Sequence, residues 1–252
     1  MIIRRRDLLG LAVLGIVVSG PSASWAAETQ VAVAANFTEP GKQIATAFKA
    51  QTGHTAVLTF GSSGEFYAQI AHGAPYEVFL SADADRPRKA EQDGLGVAGS
   101  RFTYAVGRLA LYSTTPGLAV DGGAVLANGK FEKLAIADPG AAPYGAAAVQ
   151  TMRKLGVYDR VRGRIVTGTS ISQTYQFVQT GAAELGFVAW SQVITQAAGS
   201  RWLVPSRDHD PIEQQAILLQ AGARNPAARA FLVFLKSPAA IAIIRKYGYE
   251  AR

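Results

Sequence analysis

Two short apolar runs each pass straight from a strand pattern into a helix start: Val31–Ala35 leads into Asn36, and Ala56–Phe60 leads into Gly61, Ser62, Ser63 and Gly64. In the first, Asn36 followed three residues later by Glu39 fits a capping box, with Ile44 and Phe48 as an apolar i, i+4 pair behind it. Phe66 and Ile70 repeat the pair after the second run. Two helix N-termini at neighbouring carboxyl ends of parallel strands aim unpaired N–H groups and positive dipole ends into one crevice, which suits an oxyanion. Small polar residues at such junctions also serve as plain caps worth roughly 1 kcal/mol each, so the pair carries the expectation and neither member does alone. An esterase reading of the second junction fails on spacing, because Glu65 stands where a nucleophile elbow needs its second glycine.

The same alternation continues along the chain and predicts an α/β fold with mostly parallel strands. Tyr76–Ser81 reads as an apolar strand, followed by a polar helix from about Arg86 to Asp93 and Gly94. Arg101–Tyr112 reads as one longer strand. Leu134–Asp138, Arg164–Thr167, Leu185–Ala189 and Trp202–Pro205 are further strands, and helices open after Pro139–Gly145 and at Gly168–Ser172. Gln214–Gln220 returns as a strand, and Pro226 and Pro238 sit where first-turn prolines are tolerated in two C-terminal helices. With the strands at 101–112 and 214–220 crossing between two lobes, the first lobe is discontinuous, residues 27–105 with 214–252. The second is residues 106–213, and a cleft lies between them.

Residues 1–26 read as an export segment. Arg4, Arg5 and Arg6 precede an apolar run from Leu8 to Val18, and Ser24-Trp25-Ala26 suits cleavage before Ala27. The run is too short for a comfortable membrane span. The adjacent arginines also resemble a twin-arginine signal, while Asp7 leaves the Sec route open; both lead out of the cytoplasm. Three arginines and one aspartate fall in this segment, so the net charge of +7 becomes +5 for the mature chain. That excess is scattered. Its clusters, Arg86 with Arg88 and Lys89 and the run Arg160–Arg164, read as solvated surface without the interleaved aromatics of a nucleic-acid platform, so no nucleic-acid partner is expected. With no cysteine there is no disulfide framework and no thiolate site. His54, His72 and His209 are isolated in sequence, which favours surface or cap roles over a zinc site.

Taken in order, Ala34-Ala35-Asn36-Phe37, Phe60–Gly64, Gly73–Asp83, Asp138-Pro139, Leu185–Val188 and the ending Tyr247-Gly248-Tyr249 resemble the periplasmic molybdate-binding proteins of ABC importers over essentially the whole mature chain. The resemblance implies a two-lobed periplasmic binding protein fold of type II, each lobe a mostly parallel sheet flanked by helices. It also implies a monomer that closes on molybdate or tungstate and presents it to the membrane permease, with no catalysis, no cofactor and no bare metal cation. Carried over by position, Asn36 and Ser63 contact the ligand from the first lobe, with the N–H of Ala35 beside them. Tyr144 and the N–H of Ile171 contact it from the second. One version of the family pattern has serine where this chain has Asn36 and a tyrosine where it has Ala189 and Trp190; the version with asparagine in the first loop and tyrosine after Asp-Pro fits better. Trp190 reads as core or cleft wall.

A site without a countercharge is physically reasonable. Several helix N-termini of roughly half a charge each, with charge-assisted hydrogen bonds of roughly 1.5 to 3 kcal/mol apiece, can replace the hydration a dianion loses. The alternative in the same fold is another anion, sulfate, phosphate or a small organic acid, which a cleft arginine or aspartate would favour; none sits in the loops named. A secreted hydrolase is the alternative from another class, and it lacks a histidine at a strand end beside a plausible serine.

Overall fold

The computed structural model describes residues 26–128 and 130–251. The export segment therefore lies outside the described residues, apart from Ala26. In chain order the first half holds β1 (Glu28–Ala34), a 3-10 turn (Ala35–Phe37), α1 (Thr38–Thr52), β2 (Thr55–Gly61), α2 (Ser63–Ala71), β3 (Val78–Leu80), α3 (Asp85–Gln92) and β4 (Phe102–Gly107). The second lobe follows with β5 (Leu109–Ser113), α4 (Ala124–Asn128), β6 (Leu134–Ala137), α5 (Pro143–Lys154), α6 (Tyr158–Val161), β7 (Ile165–Gly168), α7 (Ile171–Gln179), β8 (Leu185–Ala189), α8 (Trp190–Val193) and β9 (Ser200–Leu203). The chain then returns through β10 (Ile212–Leu218), α9 (Pro226–Leu235) and α10 (Pro238–Lys246).

These strands form two five-stranded sheets, ordered β2-β1-β3-β10-β4 and β7-β6-β8-β5-β9. Each is mixed, with four of its five strands running the same way, in line with the expectation of mostly parallel sheets. β1 pairs parallel with β2 and β3, and β6 with β7 and β8, but β10 runs antiparallel to β3 and β4, and β5 antiparallel to β8 and β9. The antiparallel strands are those beside the crossings, where the chain enters a sheet from the other lobe and no βα unit sets its direction. The expected long strand 101–112 is likewise two strands in different sheets, broken at Arg108, whose carbonyl accepts from Trp190 N at 2.8 Å. Val106, Gly107, Ile212 and Glu213 all pair within the first sheet.

Alternation along β1 explains why that sheet is covered on both faces. Val31 and Val33 join Ile44, Phe48, Phe231 and Ile244 on one side, while Ala32 joins Phe66, Ile70 and Phe79 on the other. Each fully buried Phe or Ile contributes roughly 1.5 to 3 kcal/mol of burial. Both C-terminal helices start as their sequences dictate: Asn225 and Ser237 cap them with their side chains, and Pro226 and Pro238 occupy the first turn.

The lobes are closed on one another. Gly64 N donates to Ala141 O at 2.9 Å, Arg86 Nη2 to Gly140 O at 2.8 Å, and Ser172 Oγ to Ala35 O at 3.2 Å. Arg86 is thus no solvated surface cation, as its sequence neighbourhood had suggested. It pairs with Asp83, whose Oδ1 also accepts from Arg86 N at 2.9 Å, and its guanidinium bridges the cleft. Arg88 and Lys89, by contrast, make exposed helical pairs with Asp85 and Asp93.

Candidate functional site

At the carboxyl ends of β1, β2, β6 and β7 the chain enters a turn or a helix, and these four starts meet between the lobes around a small cavity of about 10 Å3. That is below the roughly 300 to 1,000 Å3 of pockets for drug-sized ligands. Asn36, Ser63, Tyr144, Ile171 and Ala35, the five residues singled out in the sequence, all line it, and none of its eleven lining residues is charged. Two larger open grooves flank it. One, of about 300 Å3, carries Asp83, Asp85, Asp210 and Glu213 beside Arg86, a balance that repels an oxyanion; the other, of about 490 Å3, is lined largely by Gln, Ser, Thr and Tyr side chains.

The two junctions that opened the sequence reading differ in detail. Ser62 caps α2, its Oγ accepting from Glu65 N at 3.3 Å. This leaves Ser63, 1% exposed, free to turn its side chain the other way, where its Oγ accepts from Ala82 N at 2.9 Å. With that lone pair engaged, the Ser63 hydroxyl has its proton left to give. The expected Asn36 capping box does not form. α1 begins only at Thr38 with no side-chain cap, because β1 first makes a 3-10 turn and the Asn36 amide is drawn into a buried network. Its Nδ2 donates to Gln214 Oε1 at 2.8 Å and to Tyr249 Oη at 2.9 Å. Both amide hydrogens are then used, so what Asn36 offers the cavity is its main chain.

From the second lobe, Ser170 caps α7 with an acceptance from Gln173 N at 3.3 Å. The first-turn N–H groups of Ile171 and Ser172, like that of Ser63 in α2, have no acceptor within their own helix. Tyr144, in the first turn of α5, is 1% exposed rather than a surface aromatic. Its hydroxyl reaches back to the first lobe, accepting from Gln214 Nε2 at 3.3 Å with Asn36 Nδ2 at 3.5 Å. Gly107 makes room for it: a Cβ there would stand 2.2 Å from Tyr144 Oη and 2.7 Å from Gln214 Nε2. Trp190 lies outside the cavity lining, packed against Gly248 and beneath the Arg201 guanidinium.

Sequence reasoning missed Gln214, Tyr249, Tyr104 and Ser191, which hold the site from behind. Tyr249 Oη donates to Asn36 O at 2.7 Å and lies 2.9 Å from Ser191 Oγ; Ser191 Oγ donates to the same carbonyl at 2.9 Å. Tyr104 Oη reaches Gln214 Oε1 at 3.1 Å. The available signal was a pair of amides, Gln214 and Gln215, leading straight into the apolar Ala216-Ile217-Leu218 of one strand, since a buried amide needs partners.

Burial pushes the Tyr249 phenol up to about 12 and holds Tyr104 and Tyr144 well above the ordinary tyrosine range. At neutral pH all three are therefore neutral phenols, and none presents a negative oxygen to the cavity. The alkaline consequence has a definite sign. An unfolded chain releases these protons near pH 10, whereas folded Tyr249 keeps its proton to about 12. Stability is complete below about pH 10 and falls as pH rises from there to about 12, by about 3 kcal/mol for Tyr249 alone. Urea midpoints measured from pH 8 to 12 are expected to fall above pH 10, less steeply in Tyr249→Phe; identical slopes in the two proteins contradict the assignment.

A profile of the bacterial extracellular solute-binding proteins matches residues 29–250. The chain is 55% identical over 240 residues to the molybdate-binding protein ModA of Rhodobacter capsulatus, covering 95% of each, and 54% identical over 230 residues to that of Azotobacter vinelandii, covering 90% of this chain and 91% of that one. Among solved structures, the periplasmic molybdate-binding protein of Azotobacter vinelandii superposes with a TM-score of 0.85 at 43% identity, over 89% of this chain and 99% of that one. The sulfate-binding protein SubI of Mycobacterium tuberculosis, at 13% identity and a TM-score of 0.74 over 89% of this chain and 87% of that one, shares the fold.

Proposed function

The chain belongs to the bacterial extracellular solute-binding proteins, and from that premise we propose that it binds molybdate, or tungstate, between its lobes in the periplasm and hands it to the permease of an ABC importer. The observation that carries the reading is the uncharged cavity on which four strand-end starts converge. Ser63 Oγ and Tyr144 Oη give their protons to the oxyanion, the N–H groups of Ile171 and Ser63 give theirs, and the main chain of Ala35 and Asn36 completes the shell. The relatives that bear the name molybdate-binding protein align over nearly the whole chain, which supports the same ligand here.

The lobes are residues 27–107 with 212–251 and residues 109–203, and export of the precursor by the Sec or twin-arginine route removes residues 1–26. One copy carries both halves of the cavity, so a monomer suffices, and nothing in the delivery role calls for catalysis. Selection against sulfate rests on cavity size, because the donors themselves serve any tetrahedral dianion.

A thermal-shift panel tests this directly. Molybdate or tungstate at a thousand times its dissociation constant adds about 4 kcal/mol, which for a chain of this size raises Tm by about 10 °C. Sulfate and phosphate at equal concentration are expected to do little. Equal shifts from sulfate replace molybdate with the other-anion reading.

A further inference from the structure

Two consecutive carbonyls of one loop in the second lobe receive bonds from the first: Ala141 O from Gly64 N at 2.9 Å and Gly140 O from Arg86 Nη2 at 2.8 Å. The loop is braced to present them. Gly140 N donates to Asp138 Oδ1 at 2.8 Å and Ala142 N to Asp138 O at 2.7 Å, and the chain then runs directly into Pro143 and Tyr144 of α5. On the first-lobe side Asp83 aims the guanidinium: it pairs with Arg86 Nη1, and its Oδ1 is held by Ser81 Oγ at 3.3 Å. Asp83 follows Ala82, whose N–H donates to Ser63 Oγ at 2.9 Å. Arg86 therefore ties together, from outside, the two chain segments that carry the Ser63 and Tyr144 hydroxyls.

Arg86 does not line the cavity, and its charge is no countercharge for an anion there. Asp83 neutralises it, and Asp85, Asp210 and Glu213 share its groove. What it adds is a bond between opposite lobes, which exists only while they are together. A guanidinium makes that bond and keeps Asp83 at once because its donors diverge in a rigid fork, whereas an ammonium on a flexible stem is a single point.

We infer that Arg86 is a positioning residue of the binding site, a clasp whose bond to Gly140 holds the closed lobes on the bound anion and sets how slowly the anion leaves without setting how fast it arrives. A contact made only on closure is absent while the anion approaches and must break before it escapes, so it acts on release. Because the clasp touches no ligand atom, it slows molybdate and tungstate by the same factor. This inference rests on the reading of the cavity as an oxyanion site.

The test follows association and release of radiolabelled molybdate, and of labelled tungstate, by rapid filtration, with release started by an excess of the same unlabelled anion. Gly140 lies at the exposed rim, where water competes for the bond, so Arg86→Met is expected to release both anions about three- to tenfold faster. Association stays within about twofold of wild type, and the urea midpoint of the apo protein moves little. Arg86→Lys keeps the charge but loses the fork, and is also expected to release at least about threefold faster. A merely structural arginine would lower the apo midpoint and leave release unchanged; a steering charge would slow association and be rescued by lysine. If Arg86→Met does not fold, as read by circular dichroism, Arg86→Lys decides. A smaller change in release in either folded variant, a loss confined to association, or unequal factors for the two anions overturns the inference. Failure of wild-type protein to bind molybdate at all would instead sink the oxyanion site itself, while binding weakened by Ser63→Ala keeps that site whatever the Arg86 variants show.

Discussion

Replacing Gly64 with alanine is expected to hold the lobes apart and weaken molybdate binding by about ten- to a hundredfold, the equivalent of 1 to 3 kcal/mol of overpacking. A Cβ on Gly64 would stand 2.9 Å from both Cα and O of Ala141 and 3.0 Å from Arg86 Nη2. The arginine can swing aside, but Ala141 is backbone of the opposite lobe and can yield only by opening the cleft. The same change separates the 2.9 Å bond from Gly64 N to Ala141 O. Within its own lobe the alanine is harmless, since Gly64 sits in the first turn of α2 without a positive φ. Helix propensity then adds up to about 1 kcal/mol. Apo stability and ligand affinity should therefore move in opposite directions. Calorimetry reads the affinity, and small-angle scattering in saturating molybdate reads the larger radius of a particle that fails to close. Wild-type affinity and compaction in Gly64→Ala would mean that ligand binding does not need the closure seen here.

The combined replacement Ser63→Ala with Tyr144→Phe carries the larger effect. Each removes one hydroxyl and little volume, from opposite lobes, and each deletes a charge-assisted bond to the dianion worth roughly 1.5 to 3 kcal/mol. Together they are expected to weaken binding by about a hundred- to ten-thousandfold. Because the two hydroxyls share one ligand, the sum is not strictly additive, and the single variants measure the coupling. The apo protein pays differently at the two positions: Ser63→Ala leaves Ala82 N without its acceptor, while Tyr144→Phe leaves Gln214 Nε2 without one. If Tyr144→Phe binds molybdate as tightly as the unmodified protein, Tyr144 is not a ligand hydroxyl; if Ser63→Ala is neutral as well, the site lies elsewhere.

The fold was legible where local chemistry decided it. Alternating apolar strands and capped helices predicted α/β lobes, and Ser62, Asn225 and Ser237 cap the helices they precede. The reading failed where a distant partner outbid a local one. Asn36 with Glu39 has the spacing of a capping box, but Gln214 and Tyr249 lie 178 and 213 residues away and take its amide instead. Arg86 sits in a charged run like any surface helix, yet Gly140 of the other lobe receives its guanidinium. The single strand expected over 101–112 divides at Arg108, because an unbroken apolar alternation does not say which sheet each half will join.

What the sequence determined by itself was the set of strand-end loops and the chemical character of what they offer: small, uncharged, rich in hydroxyl and N–H donors. Those properties are local, carried by residue type and by the helix start that follows each strand, and so were readable before any contact was known. The tertiary structure alone decided which loops face each other, how small the cavity between them is, and which way each hydroxyl points. The Tyr144 proton illustrates the division. Its residue type allows donation or acceptance, and the partners that bear on the choice, Gln214 among them, 70 residues along the chain and brought alongside by the return of β10 to the first sheet, come only with the fold. Hydrogen-bond polarity in a buried site is set by the partner's geometry, and no local pattern encodes a partner that the fold has yet to bring near.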